Sequence, residues 1–361
     1  MKRELTFCLA VAAMAAILLS QPKRDVYKQN NLLSDLNGQG ARRDTKLVNP
    51  WGISFSPTGP FWVSDNRTGL VTVYDAQGRP APSASPIVVT VPQVAGKFPP
   101  SAPTGQVFNP TVDFTLTPAK PALFLFASED GTISGWNPIV NPTNAVIKVD
   151  NSGAEAIYKG LAIGSNANGN FLFAANFHAG KIDVFDKNFM PVVSPGGFLD
   201  IGIPAGFAPF NIQNIGGRLY VTYAKQDADK EDDVAGPGNG FVDLFDTNGT
   251  LVRRVATQGA LDSPWGLAVS PANFGEFSNA LLVGNFGDGR INAFNVRTGA
   301  LLGHLLEPSS RPLVIPGLWA LTFGNGGNAG DRDKLYFTAG IPGGGQLEDH
   351  GLFGEIRPQH P

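Results

Sequence analysis

Polar side chains able to do chemistry recur at one place in a repeating pattern of this 361-residue chain, where a run of small and apolar residues breaks just before a glycine. Asn66 and Arg67, Glu129 and Asp130, Asn176 and His178, Gln226 with Asp227 and Asp229, Asn285 with Asp288, and Glu348, Asp349 and His350 all fall at such corners. Gathered at one mouth, oxygens such as those of Asn66, Glu129, Asn176, Asp227 and Asn285 could hold a hard cation such as Ca²⁺, which takes about 6 to 8 of them. Asn and Asp also suit tight turns, because they tolerate left-handed backbone and bond to it locally. Both readings stand on the sequence alone.

The densest cluster is the stretch 226–233, QDADKEDD, in which Asp227, Asp229, Asp232 and Asp233 are candidate metal ligands. It opens like an EF-hand loop, but Asp232 and Gly238 occupy the places where that motif needs Gly and Glu. A cation would relieve the mutual repulsion of these acids, and so would water and salt. His178 is the candidate general base or metal ligand; the remaining histidines are His304, His350 and His360. No G-x-S-x-G elbow, H-E-x-x-H helix or Walker loop is present, which argues against the commonest hydrolase, zincin and nucleotide-binding chemistries. Trp51, Trp265 and Trp319 share one repeat position, where they could stack on a sugar or aromatic ligand or wedge neighbouring repeats together.

The elements that must position these residues are short strands. With 44 glycines and 29 prolines, about a fifth of the chain, the composition excludes a mostly helical protein. Six units repeat an apolar strand opened by Pro or Gly, a second strand ending in small or polar residues, then Gly and a third strand. NPWGISF, FWVSDN and GLVTVYD form the first; SPWGLAV, LLVGNF and GRINAFN form the fifth, which resembles it most. Trp51, Thr111, Lys159, Phe210, Trp265 and Trp319 head the units, and a fourth strand fits after each third strand except the last. The pattern predicts an all-β, six-bladed β-propeller of four-stranded blades. The blades are expected near 49–91, 109–150, 156–200, 208–255, 263–306 and 317–357, with 27–33 closing the last blade and removing an open edge.

The repeats resemble NHL propellers in their Pro-Gly opening, their strand leading to Asp or Asn, and their final apolar-x-apolar strand. The phrases NLLSD, NPWGI, ANFHAGKIDVFD and YAKQDADKEDDVAGPGNGFVDLFD are similar to those of a bacterial family of exported propellers. That resemblance implies export but no known reaction, since NHL relatives include enzymes and pure binding modules.

Strand order assigns the connections to faces. With strands a to d numbered from the axis outward, the b-to-c and d-to-a connections share one face, and 35–49, 92–109, 224–240 and 340–350 make that face rich in loops. Long loops more often carry function, so this is the candidate working face.

Residues 1–20, with Lys2 and Arg3 before an apolar run, read as a signal peptide, and 21–361 as a single propeller domain. Cys8 lies in that segment and is the only cysteine, so a mature chain has no disulfide, Cys nucleophile or Cys-ligated zinc. A net charge of −3 with 16% charged residues offers no surface for nucleic acid. The expectation is an exported monomer, periplasmic or extracellular, with no membrane span in the mature chain. It would bind a protein, peptide or glycan through the loop-rich face. The competing expectation is a Ca²⁺-assisted hydrolase or lyase at the channel mouth, with His178 moving the proton.

Overall fold

The computed structural model describes residues 25–96 and 99–359, so the expectations for 1–20, including Cys8, and for His360 lie outside the described residues. Six sheets are arranged radially as a β-propeller. Their inner strands are Pro50–Ser54, Pro103–Phe108, Tyr158–Asn166, Phe207–Ile215, Pro264–Val269 and Leu318–Phe323, and each packs on the next, the sixth returning to the first. Every sheet is antiparallel through its four blade strands, as short loops between consecutive strands require.

Six apolar clusters lie between successive blades, and a seventh lies on the axis. Each sheet therefore buries both faces, which explains strands such as FLFAS and ALLVGN that are apolar on both sides. The glycines before the third strands have a positional reason: Gly69, Gly131, Gly180 and Gly289 have φ of 68, 80, 65 and 70°, where a Cβ would be strained.

The ring closes as expected. Val26–Ser34 pairs antiparallel with Gln346–Gln359, the third strand of blade 6, and Arg42–Arg43 adds a short parallel strand outside it. Tyr27 is fully buried, and its hydroxyl donates to the Phe274 carbonyl and accepts from the Phe277 amide, tying the closing strand to blade 5.

Three sequence expectations are corrected. Blade 2 opens with Pro103–Phe108 and not with the segment headed by Thr111; residues after 108 form a small outer hairpin, Thr115–Thr117 with Lys120–Pro121. The true head is thus Thr104, followed by Gly105 as Trp51 is followed by Gly52. A Cβ on Gly105 would stand 2.3 Å from the Leu161 amide nitrogen, because inner strands crowd at the axis. Second, 340–350 is not a loop but the tip of a long hairpin, Leu335–Gly343 with Gln346–Gln359. Third, the fourth strand of the blade expected over 156–200 is only Pro191–Val192.

Candidate functional site

The inner strands begin on the loop-rich face, so the residues heading them meet at one axial mouth. Trp51, Trp265 and Trp319 arrive from blades 1, 5 and 6 and pack on one another: Trp51 stacks on Trp319 with centroids 3.6 Å apart, and Trp265 stands edge-on to both. Phe286 stacks on the other side of Trp319, while Phe210 and Phe177 extend the cluster. The three indoles are at most 4% exposed, so their faces meet each other instead of forming an open stacking surface. They plug the axis beneath the loop-rich face.

Lys159 is the head residue of blade 3 and lies over this plug. Its side chain is 1% exposed, and its ammonium lies 5.2 Å from the Trp51 centroid and 5.9 Å from that of Phe177. The ammonium donates to Glu129 Oε1 and, at 3.0 Å, to Asp232 Oδ1. Burial alone would pull the Lys159 pKa down, but the two carboxylates more than offset it and hold the group above its ordinary value. The charge is retained because it is paired and faces aromatic rings.

From Glu129 a polar chain crosses the mouth. Asn66 donates to Glu129 Oε2 at 2.9 Å and accepts from Asn49; Asn49 donates to Glu348 Oε1 at 2.9 Å and accepts from the Trp319 indole N–H at 3.0 Å. Burial, reinforced by the nearby Glu129 carboxylate, pushes Glu348 up to about 7. Burial likewise pushes Asp233 up to about 6. Arg67, exposed at the rim, bonds the Glu348 carbonyl and pairs with Asp349 at 3.3 Å, fixing the blade 6 hairpin against blade 1.

Beside this network opens a cleft of about 540 Å³ lined by Glu129, Glu155, His178, Asp229, Glu231 and Asp232, with Ala156 and Ile157 behind them. His178 Nε2 is 3.7 Å from Glu155 Oε2, and its Nδ1 is buried without a hydrogen-bond partner. Five carboxylates thus face one imidazole, and the nearest ammonium, that of Lys159, is sealed below and already paired.

The remaining predicted residues do not join. Asn176 donates to Asp183 within its own blade and accepts from the Ala179 amide; Asn285 bonds Asp288 and the Ala260 carbonyl. At these two corners the turn role holds. Asp130 accepts from Ser101, and Gln226 donates to the Phe177 carbonyl at 2.6 Å, pinning the acidic loop to blade 3.

The acidic loop does not form a metal cage. Asp227 closes its own turn by accepting from the Glu231 amide, Asp229 faces the cleft, Asp232 pairs with Lys159, and Asp233 turns inward. Among the described residues, no three His, Cys, Asp or Glu side chains are placed to hold one metal ion. Of the oxygens expected for Ca²⁺, those of Asn66 and Glu129 belong to one hydrogen-bonded pair, Asn176 bonds within its own blade, Asp227 closes its own loop, and Asn285 Oδ1 is buried without a hydrogen-bond partner.

Sequence reasoning missed Asn49 and the charge role of Lys159. Lys159 carried a signal, being a cation in a position elsewhere held by Trp, Phe or Thr.

The axis is open from the opposite face, where a funnel of about 420 Å³ reaches Trp265 between inner strands. Gln106 and Asn214 at its wall are spent on neighbouring backbone carbonyls. No charged side chain lines it. Among the described residues no helix is long and apolar enough to cross a membrane.

No protein-family model matches the chain. Two proteins of Acanthamoeba polyphaga mimivirus do: "Uncharacterized protein R648" is 35% identical over 333 residues, covering 89% of this chain and 79% of its own. "Uncharacterized protein L690" is 35% identical over 330 residues, covering 88% and 84%. These relatives are viral, which corrects the expectation of a bacterial family. Among solved structures, a glucose dehydrogenase superposes with a TM-score of 0.55 at 12% identity, covering 92% of this chain and 100% of that one. The PQQ-bound aldose sugar dehydrogenase of Streptomyces coelicolor gives 0.51 at 15% identity, covering 94% and 99%. At such identities the likeness shows the propeller fold alone.

Proposed function

For this chain, which belongs to the family of the mimivirus proteins R648 and L690, we propose a non-catalytic binding module whose loop-rich face takes a basic peptide segment of a protein partner. The observation that carries this reading is the cleft lined by Glu129, Glu155, Asp229, Glu231 and Asp232, whose only basic side chain is that of His178. A Lys or Arg side chain entering it would gain charge-assisted hydrogen bonds from Glu155, Asp229 and Glu231, since Glu129 and Asp232 already share the Lys159 ammonium. Glu155 and Asp232 are exposed, so the attraction would chiefly speed encounter and would weaken with salt. The basic start and apolar run of residues 1–20 support export to the periplasm or the medium, and the ring, complete within one chain, supports a monomer.

The test is fluorescence anisotropy of a labelled Lys-rich peptide and of its Glu-rich counterpart. The Lys-rich peptide should bind, should weaken about tenfold or more between low and physiological salt, and should lose affinity to Glu155→Gln with Glu231→Gln. Equal binding of the acidic peptide, or indifference to those substitutions, would overturn the reading.

A further inference from the structure

Five asparagines of this chain stand directly before a glycine: Asn37, Asn168, Asn239, Asn248 and Asn325. Such a pair can react with itself. The glycine backbone nitrogen attacks the side-chain carbonyl carbon of the asparagine, a C–N bond forms, and the side-chain nitrogen leaves as ammonia with the displaced proton. Water then opens the resulting cyclic imide at either carbonyl, giving aspartate or isoaspartate. Glycine permits the closure because no Cβ crowds the attacking nitrogen. The fold must still leave the side-chain amide free to swing round and the glycine N–H free of a hydrogen bond.

Four of the pairs are denied one or both of these freedoms. Asn325 donates to the Ser56 and Gly59 carbonyls and accepts from the Gly327 and Ala329 amides, and the Gly326 amide donates to the Gly330 carbonyl at 2.7 Å. Asn248 Oδ1 accepts from Asn166 at 3.0 Å, and the Gly249 amide donates to the Asp246 carbonyl. Asn239 donates to the Val234 carbonyl, and Gly240 opens a strand in register with Ala224. Asn168 is exposed, but Gly169 is held in the blade 3 hairpin opposite Asn166.

The pair Asn37-Gly38 is different. It lies at the exposed tip of the turn between the closing strand Val26–Ser34 and Arg42–Arg43, on the loop-rich face. Among the described residues, neither the Asn37 side chain nor the Gly38 amide has a hydrogen-bond partner. Gly38 has a φ of 78°, and a Cβ built on it would meet nothing within 4 Å, so the tip stands clear of the ring and has room to bend into the imide.

We infer that Asn37 is the site at which the folded protein deamidates spontaneously, passing through the imide with Gly38 to isoaspartate and aspartate. Each event adds a negative charge to the loop-rich face, and the isoaspartate product lengthens the turn by one backbone carbon. The ring tolerates this because the turn is pinned at its base. The Ala41 amide donates to the Asn31 carbonyl at 3.0 Å, Asn31 Nδ2 to the Gln39 carbonyl at 2.9 Å, and Arg43 to the Asp35 carbonyl at 2.8 Å. The reaction is separate from the acidic cleft and does not depend on what that cleft binds.

The test ages the whole chain in mildly alkaline buffer, maps its peptides by mass spectrometry and scores isoaspartate by methyltransferase labelling. The Asn37 peptide should gain acid about tenfold or more faster than each of the other four, because those must first break hydrogen bonds. In urea-unfolded protein that margin should vanish. Asn37→Gln, whose closure would need a larger ring, should remove the early product and leave the melting temperature unchanged. Earlier conversion at another Asn-Gly pair, acid at Asn37 without isoaspartate, or the same margin in urea would overturn the inference.

Discussion

Lys159 and Asp232, 73 residues apart in sequence, meet at 3.0 Å where the acidic loop of blade 4 folds back over the axis. That contact resolves what the acid-rich stretch is doing: one of its carboxylates is anchored to a buried ammonium, while Asp229 and Glu231 are left to face the cleft. The two partners differ in burial. Asp232 is mostly exposed and Lys159 is sealed, so the pair is asymmetric in its consequences.

Asp232→Asn should cost less than about 1 kcal/mol, as exposed partners do, while loosening the 226–239 loop. Lys159→Ala should cost about 3 kcal/mol or more, because it strands the Glu129 carboxylate and empties volume over Trp51. Urea unfolding of both variants checks the contrast; equal effects would mean the ion pair is not organised around the buried end.

Stability should fall as pH rises through neutrality. Glu348 and Asp243 are pushed up to about 7 and Asp233 to about 6, each chiefly by burial. An unfolded carboxyl titrates near 4, so between about 4 and 7 the folded state holds more protons than the unfolded one. The stabilising contribution of these groups is present below the unfolded pKa and is lost as pH rises through the folded value. Melting temperatures across pH 5 to 8 should decline, and Glu348→Gln should flatten the decline while keeping the acceptor for Asn49.

The aromatic plug should respond to polarity as well as size. Trp319 donates its N–H to Asn49, whereas the buried Trp51 N–H has no partner. Both replaced by Phe lose similar area, but only Trp319→Phe leaves the Asn49 oxygen short of a donor. That variant should be the less stable by about 1 kcal/mol, measured by denaturant midpoint.

Removing the closing strand, residues 25–34, should expose the third strand of blade 6 and the pocket of Tyr27. Loss of cooperative melting and concentration-dependent association in sedimentation are the expected outcomes. Tyr27→Phe, which gives up only the hydroxyl contacts to Phe274 and Phe277, should stay folded and lose about 1 to 2 kcal/mol.

The local pattern alone determined the architecture: the repeated strand triplets, the glycines ahead of each third strand, and the orphan strand at 27–33 require a closed six-bladed ring. It also determined that the first-strand heads and the b-to-c corners share a face. Blade 2 misled because the segment headed by Thr111 mimics the repeat, while Gly105 marks the true inner strand through crowding that arises only when neighbouring blades are in place. Which corners act together was decided by the tertiary structure. Asn66, Glu129 and Asp232 converge because Lys159, set by the ring over Trp51 and Phe177, is a buried charge that must find carboxylates. Asn176, of the same residue type at an equivalent position, finds its partners within its own blade, and Asn285 bonds Asp288 and the Ala260 carbonyl in the connection leading into its blade. Pairing across blades depends on distances around the axis, and a repeat pattern carries none of those.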